Sequence, residues 1–414
     1  MTIGKIAGRC TVLLLAGLSG LCLAQGAAMK LTEQTAVERS LARQALQSRN
    51  AGTLDAADSD VLQARTLPNP VFGYAREPLD GSIADERQIT YSLSQRFELG
   101  GKRGLRIDAA TARLDAARSD VRSLEKSIAN EARKRFHEAL ALQMSAAALT
   151  AWERRLVDAE DVSRRLEKGG EVAGYDRRRV GRERATAASR SRAALADLSR
   201  SVDALRALIG AAPQTALDLE GPLLPAALAP LPAYLANLDS RPDLKALEAR
   251  ALAFQYEERL AEQGRIPDVT VSAGVKQVDR GNLNDSGFVL GLSIPVPIFE
   301  RGEAGRRRAA GQSKAVQAER EIALAKAQGD VRGLWSQASQ LRLAAEEFRR
   351  EAVEGSRRLA QIAGTAYRGG ELGILELLDA HRGLAEAETR ALELELAARA
   401  ALLELELVTT GVQK

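Results

Sequence analysis

The sequence has little of the chemistry that enzymes and metal sites use. Its 414 residues include two cysteines and two histidines. Cys10 and Cys22 lie near the start of the chain, and His137 and His381 lie far apart. A zinc or copper site needs a cluster of such ligands, and no set of nucleophile and base can be assembled without them. We therefore predict that the protein is not an enzyme and has no catalytic residue, metal site or cofactor.

Aromatic residues and an excess of one charge are also scarce. Aromatics make up 4% of the chain, which is typical of long helices rich in Ala, Leu, Glu and Arg. The 59 basic and 55 acidic side chains leave a net charge of +4, which argues against nucleic-acid binding. Gly101-Lys102-Arg103 lacks the hydroxyl residue that a phosphate-binding loop needs, so nothing predicts nucleotide binding.

The first residues have the pattern of a secretory signal. Lys5 and Arg9 precede an apolar stretch at 11–23, which is too short to cross a bilayer as a helix. We predict a signal peptide over 1–24 with cleavage after Ala24. The alternative, lipidation at Cys22, stays open, although Leu21 is larger than the residue such a signal usually has there.

The sequence contains an internal duplication, which predicts two structural repeats. The two repeats are predicted to span 25–210 and 241–411. Each is predicted to contain a helix, two strands, a very long helix, a Gly-Gly turn and a returning helix. The Pro-rich stretch 211–240 predicts an equatorial linker on the surface, and 412–414 a short tail. Four landmarks recur after 199 to 202 residues: 67–71 with 266–269, Phe97-Glu98-Leu99-Gly100 with Phe299-Glu300-Arg301-Gly302, Gly169-Gly170-Glu171 with Gly369-Gly370-Glu371, and Ile209-Gly210 with Thr410-Gly411.

Four short segments alternate between apolar and polar residues. They predict strands at about 70–77, 87–98, 268–279 and 286–298. Such alternation suits a transmembrane barrel strand, with one face in lipid and one in water, but also an ordinary half-buried sheet. Four strands cannot close a barrel, whereas three chains would supply twelve.

Long uninterrupted helices are predicted at about 104–168, 175–209, 304–368 and 373–409. The third has apolar or small residues at alternating steps of three and four, a heptad seam typical of coiled coils. Alone, these helices would fit any coiled-coil rod. The predicted seam consists of Val331, Leu334, Ala338, Leu341, Ala345, Phe348, Ala352, Gly355, Leu359, Ile362 and Ala366.

The signal, the duplicated order and the paired glycine turns resemble the TolC-type outer-membrane efflux proteins over essentially the whole mature chain. Gln95, Gly100-Gly101-Lys102-Arg103, Arg106 and Pro295-Val296-Pro297-Ile298-Phe299 are similar to its cation-efflux (CzcC-like) branch. The resemblance implies a mainly α fold with a small transmembrane β part. A homotrimer would form a 12-stranded β-barrel in the outer membrane and an α-helical barrel in the periplasm.

The same resemblance implies a passive exit duct that works with a periplasmic adaptor protein and an inner-membrane resistance-nodulation-division pump. Its cargo would be heavy-metal cations or small toxic compounds. Two alternatives remain open: an exit duct for type I protein secretion, and a soluble periplasmic coiled-coil scaffold. The sequence does not identify the cargo. With no cysteine after the predicted signal peptide and two isolated histidines, the duct is not expected to coordinate soft metals even if metal ions are exported.

Two sets of residues are candidate functional sites. The turns at Gly169-Gly170 and Gly369-Gly370 cap helices, and the resemblance implies that they form the tip to which the adaptor docks. Carboxylates near these turns could ring a periplasmic gate in a trimer and favour cations, or could equally be ordinary acids at helix starts. These carboxylates are Asp176, Glu371, Glu376 and Asp379.

Overall fold

The protein is seen in a computed structural model that describes residues 28–79, 86–170, 173–280 and 283–409. The predicted signal peptide, its cleavage after Ala24, Cys22 and the tail lie outside the described residues. The described elements are β1 (Met29–Leu31), α1 (Glu33–Leu41), α2 (Gln44–Arg65), β2 (Val71–Leu79), β3 (Glu86–Phe97), α3 (Lys102–Lys168), α4 (Gly174–Ile209), β4 (Leu217–Leu219), α5 (Leu231–Leu235), α6 (Pro242–Glu262), β5 (Val269–Asp279), β6 (Asn284–Ser293), α7 (Glu303–Phe348), α8 (Glu354–Arg368) and α9 (Ile374–Val408).

The four long strands form one antiparallel sheet in the order β2-β3-β5-β6. Each repeat supplies one hairpin, and the pairing of β3 with β5 joins the two hairpins. The register aligns Tyr74, Tyr91, Val275 and Phe288 in one row across the sheet. Because side chains alternate between the faces of a strand, residues in one row share one face.

The long helices lie side by side below the sheet. Nearer the strands, α3 packs against α2 and α6, and α6 packs against α7. Farther along, α3 packs against α4 and α9, and α9 packs against α7 and α8. Away from the glycine turns, α2 and α4 lie at one side of this arrangement and α7 and α8 at the other. Near the turns, α3 also contacts α8, and α4 contacts α9.

In each repeat, a glycine in the left-handed conformation lies where the chain passes from the strand pair into the long helix. Gly101 caps α3 with a φ of 70°, and Gly302 caps α7 with a φ of 82°. A Cβ atom on Gly302 would overlap the carbonyl oxygen of Ala261. Only glycine combines this backbone conformation with such a close approach to α6.

A π-helix at Arg349–Val353 separates α7 from α8 and changes which residues are buried. Before it, the buried residues include Ala338 and Ala345, as the heptad seam predicts. After it, Ala360 is buried, whereas Leu359 is 61% exposed and Ile362 64% exposed. The predicted seam is therefore wrong beyond Phe348. A π-turn contains one extra residue, so the buried face moves on by one position.

The segment between the repeats contains regular structure and packs against both halves. Within it, β4 pairs in parallel with β1, and α5 contributes Tyr234 to a cluster with Val331 and Leu405. Trp335 donates its indole N–H to the carbonyl of Ala229. These contacts fix the middle of the molecule to α7 and α9.

A half-buried polar network ties the N-terminal helix to both long helices. Glu33 on α1 accepts hydrogen bonds from Arg133 and from Nε2 of His137, the latter at 2.9 Å. Arg133 also donates to Glu406 near the end of α9. Burial raises the pKa of Glu33, but the His137 hydrogen bond and the Arg133 charge outweigh it and hold the pKa at about 2. Burial lowers the pKa of His137, so it remains neutral.

Replacing Glu33 by Gln is expected to destabilise the protein at neutral pH and to have less effect in acid. A carboxylate whose pKa falls on folding stabilises above its unfolded value of 4.5, and this contribution is lost as pH falls towards about 2. Because Glu33 is partly exposed, we expect a loss of about 1–2 kcal/mol. The thermal midpoint of E33Q should approach that of the wild type between pH 4.5 and 3.

The exposed neighbour Glu38, which has no ion pair among the described residues, provides the control. E38Q should match the wild type at each pH. An E33Q deficit that is the same at pH 7 and pH 3 would contradict this assignment.

Candidate functional site

The sheet has one apolar face and one face of small or polar residues. Phe288 is 92% exposed and Leu290 is 83% exposed, although both are large and apolar. The row of Leu290 also contains Ala273, Leu93 and Phe72. Rows on the opposite face are Gly73, Ser92, Gly274 and Val289, then Ala75, Thr90, Lys276 and Gly287. An exposed apolar face opposite a polar one is the pattern of a wall between lipid and water.

Both edges of the sheet are free in the protomer. β2 and β6 each pair on one side only among the described strands. Neighbouring strands are antiparallel throughout, so β2 and β6 run in opposite directions. The β6 edge of one copy is therefore correctly oriented to pair antiparallel with the β2 edge of another copy. Strand edges with unpaired backbone groups cannot lie in lipid. Pairing between copies would supply hydrogen bonds to the backbone groups of both edges.

The paired glycine turns have the geometry that a sharp helix reversal requires. Gly170 has a φ of 76° and Gly370 a φ of 71°, both in the left-handed region. The amide of Glu371 donates to the carbonyl of Ala366 at 2.9 Å, which closes the end of α8. The first turn joins α3 to α4, and the second joins α8 to α9.

Two side-chain contacts hold the two helical hairpins together near these turns. The hydroxyls of Ser163 on α3 and Tyr367 on α8 are 2.7 Å apart and buried. Arg382 on α9 donates to Glu183 on α4 at 2.8 Å. An apolar cluster lies between them and includes Trp152, Leu156, Val180, Leu377 and Leu378. The ends of the hairpins are thus packed as one unit.

The four candidate gate carboxylates lie close to the turns. Asp176 is in the first turn of α4, Glu376 is in the first turn of α9, and Asp379 follows one turn later. Glu371 belongs to the second turn itself. Across the described ranges, none of the four has an ion-pair partner. Glu371, Glu376 and Asp379 are exposed, so their charges are available to solutes.

Two exposed apolar residues mark the same place in each repeat, and the sequence reading missed them. Tyr175 follows the first turn and is 70% exposed, and Leu375 follows the second and is 47% exposed. They are 200 residues apart, the same spacing as the Gly-Gly landmarks. The duplication places them at equivalent positions, and the structure adds that both are exposed. An exposed apolar residue kept in both repeats suggests a contact surface.

Lys102 and Arg106, near the start of α3, have ordinary structural partners. Lys102 donates to Asp268 at 2.8 Å, and Arg106 makes a double hydrogen bond with Glu98. His137 and His381 are buried on different helices. Over 28–79, 86–170, 173–280 and 283–409, no group of three or more His, Cys, Asp or Glu side chains could hold a metal ion. Nor does any helix within these ranges combine the length and apolarity needed to cross a membrane.

Comparison with known sequences places the chain in a family of transport channels. Residues 234–411 match the family described as Outer membrane efflux protein. The nickel and cobalt resistance protein CnrC of Cupriavidus metallidurans is 30% identical over 298 residues, 68% of this chain and 67% of that protein. The cobalt-zinc-cadmium resistance protein CzcC of the same organism is 27% identical over 344 residues, 82% of this chain and 80% of that protein.

A further relative is matched over a smaller share of its length. The nickel-cobalt-cadmium resistance protein NccC of Alcaligenes xylosoxydans xylosoxydans is 31% identical over 286 residues, 68% of this chain and 64% of that protein. The chain belongs to the outer membrane efflux protein family and is similar to its cation-resistance members. This confirms the predicted family and the outer-membrane location, and it leaves the soluble-scaffold alternative without support.

Solved structures confirm the fold. The outer-membrane channel OprN has a TM-score of 0.72 at 22% identity and covers 92% of this chain and 91% of its own. The channel CusC has a TM-score of 0.71 at 16% identity and covers 94% of this chain and 96% of its own. The mainly helical architecture with a small sheet is thus the fold of these channels.

Proposed function

We propose that three copies of this chain form a passive duct that carries heavy-metal cations out through the outer membrane. The duct receives its cargo from an inner-membrane resistance-nodulation-division pump through a periplasmic adaptor. The observation that carries this proposal is a four-stranded sheet with an apolar outer face and two free edges. The relatives named for cobalt, nickel, zinc and cadmium resistance support the choice of cargo.

Closure by three copies follows from the number of strands. Four strands cannot enclose a pore, and barrels with open lumens need more than about eight strands. Three copies joined from β6 to β2 give twelve strands, all antiparallel. The apolar rows then face lipid, and the rows rich in glycine and serine face the lumen, where small side chains leave room for solutes.

The helical layer supports the same ring. Its two sides, formed by α4 and by α7 with α8, present exposed apolar residues in the described chain, such as Leu195 on α4. Leu359 and Ile362 lie exposed on α8, at the positions that the π-helix turns out of the protomer core. We propose that they pack against α4 of the next copy. The copies would then follow one another around the ring in the same order in the helical part as in the sheet.

The glycine turns and their exposed neighbours form the proposed adaptor-docking tip. Gly169, Gly170, Gly369 and Gly370 reverse the helices there. Tyr175 and Leu375 supply apolar contact area at equivalent places in the two repeats. Threefold repetition would present six such contacts to a ring of adaptors. Contacts that bind together give an overall affinity higher than that of any one of them.

Removing both apolar contacts is expected to weaken adaptor binding without unfolding the duct. Y175A with L375A should lower the affinity for the adaptor at least tenfold, since each buried side chain of this size contributes about 1.5–3 kcal/mol. Binding can be measured by surface plasmon resonance with the cognate adaptor. L195A removes an exposed apolar residue from α4 away from the turn and should bind normally. Equal affinities for the two variants would contradict the docking role.

The four carboxylates near the tip, which have no ion pair among the described residues, are the proposed cation-selective gate. Rings of acidic side chains favour cations because they lower the energy of positive charge in a narrow pore. E376Q with D379N is expected to shift the reversal potential in a salt gradient towards zero in planar bilayers. E347Q, which neutralises an exposed carboxylate far from the turns, should leave it unchanged. Unaltered selectivity in the gate variant would remove the gate assignment.

Deletion of the gene tests the proposed function as a whole. Loss of the duct should reduce tolerance to cobalt, nickel, zinc and cadmium, with little effect on tolerance to drugs. Restoring the wild-type gene should restore metal tolerance. Normal metal tolerance together with a defect in secreting a large protein would replace this proposal with the type I secretion alternative.

A further inference from the structure

Two adjoining cavities lie in the groove between α3 and the α7–α8 helix, with α9 contributing to both. The first, of about 240 Å³, is beside the π-helix and is lined by Arg349 and Arg357 among others. The second, of about 340 Å³, lies nearer the tip and is lined by Asp158, Arg368 and His381 among others. Arg155 lines both cavities.

Among the cavity arginines, Arg155 and Arg368 have no anionic partner in the described part of the chain, whereas the other two are paired. Arg349 pairs with Glu395. Arg357 pairs with Glu354 at 2.6 Å and with Glu388 at 3.5 Å. One terminal nitrogen of Arg155, Nη1, is fully buried and has no hydrogen-bond partner in the described part of the chain. Asp158 lies one turn away but makes no ion pair with it.

His381 presents a second orphaned polar atom at the same place. The residue is 9% exposed, and its Nδ1 is buried without a hydrogen-bond partner among the described residues. Burial lowers the pKa of His381 to about 4, and the nearby charge of Arg155 adds to this effect. At neutral pH the ring is therefore uncharged and has one N–H to donate.

The guanidinium of Arg155 is half-buried, its Nη1 is fully buried, and no counter-charge lies beside it among the described residues. Arginine does not release its proton in proteins, so it cannot become neutral as a buried lysine can. Burying a charge without a partner is costly, and a water molecule satisfies a hydrogen bond without balancing the charge. A small oxyanion does both, because its oxygens accept hydrogen bonds from guanidinium and imidazole N–H groups.

We propose that the cavity between Arg155 and His381 binds a small oxyanion, an inorganic phosphate or a carboxylate. The anion accepts hydrogen bonds from Arg155 on α3 and His381 on α9, and Arg368 on α8 adds a second positive charge at the cavity wall. It thereby joins three helices near the place where the two hairpins are held together. This site is independent of the metal cargo and of the adaptor-docking tip.

The first test is an anion titration of the full-length protein purified in detergent. Sodium phosphate and sodium acetate are titrated separately at constant ionic strength, with a bulky sulfonate as the balancing salt. The thermal midpoint should rise and saturate, with a shift of about 1–3 °C. Preference for phosphate identifies a free inorganic anion, and response to acetate alone identifies carboxylate chemistry.

Variants distinguish a specific site from a general salt effect. R155Q removes the unpaired charge, so its midpoint should be at least as high as wild type without anion and should no longer respond to phosphate. R154Q changes the exposed neighbouring arginine and should respond as the wild type does. A response that R155Q retains in full, or a wild-type midpoint that ignores both anions, overturns the proposal.

The second readout is the imidazole of His381, observed by nitrogen NMR of histidine-labelled protein. The chain has only two histidines, so the H137Q variant assigns the His381 signal. Phosphate should move this signal saturably in wild type and R154Q but not in R155Q. A His381 signal that does not move in any of them shows that water alone fills the cavity.

Discussion

Replacing Leu290 by Arg is expected to abolish assembly of the duct in the outer membrane. In the proposed barrel, Leu290 lies near the middle of β6 and faces lipid. An arginine at the bilayer midplane costs about 2–4 kcal/mol, and the threefold ring repeats it to about 6–12 kcal/mol per duct. Heat-modifiable trimer in outer-membrane fractions should disappear, and metal tolerance should fall to that of the deletion strain.

The adjacent residue provides a matched control. Val289 lies on the opposite face, in a row with Gly274, Ser92 and Gly73, where an arginine would enter the water-filled lumen. V289R should therefore assemble normally and change only conductance or ion selectivity. Normal assembly of L290R, or failure of both variants alike, would contradict the orientation of the sheet.

Deleting one residue from the π-helix is expected to be tolerated, whereas deleting one just after it is not. The π-helix at Arg349–Val353 contains one residue more than a regular α-helix of the same span. Deleting Glu351 should restore a regular helix and leave Ala360, Ala363 and Tyr367 in the core. Trimer stability should change by no more than a few degrees.

Deleting Arg358 instead rotates all later residues of α8 by about 100° relative to their partners. Ala360, Ala363 and Tyr367 then leave the core, and the hydrogen bond from Tyr367 to Ser163 is lost. The expected cost is at least about 3 kcal/mol per protomer, measurable as loss of trimer on heating. Both deleted residues are exposed, so neither deletion removes a core side chain. The difference in stability between the two variants therefore reflects the rotation of the later part of α8. Equal losses in the two variants would show that the π-helix does not set the phase of α8.

The sheet could be predicted from the sequence because its signal is local. Alternation with a period of two appears within ten residues, as in β5, and requires no knowledge of the partner strand. The duplication added a second, independent copy of the pattern. The order β2-β3-β5-β6 was not predicted, because the pairing of β3 with β5 joins residues about 180 positions apart and leaves no local trace.

The π-helix could not be predicted because no residue type demands it. Residues 349–353 are ordinary helix formers, and a regular heptad pattern runs through them. The observed change in burial depends on how α8 packs against α9. The polar network was missed for a related reason, since Glu33, Arg133 and Glu406 are far apart in the chain and meet only after folding.

At the candidate site, the glycine turns could be predicted from the sequence, but the residues that surround them could not. Gly170 and Gly370 have the left-handed conformation that their place between helices suggested. Tyr175 and Leu375 are ordinary helix residues until exposure marks them as contact candidates. Arg155 gave no signal in the sequence, because its lack of a partner among the described residues is a property of the packed groove.

Disulfide trapping between the two sheet edges tests the threefold ring most directly. Phe288→Cys is combined in turn with Phe72→Cys, Tyr74→Cys or Arg76→Cys. Within one protomer these positions are separated by three strand spacings, about 14 Å, so a disulfide can form only between copies. At one register we expect a covalent species of three chains and nothing larger after oxidation in membranes. Chains that remain single at every register, or a ladder that continues past three, would contradict it.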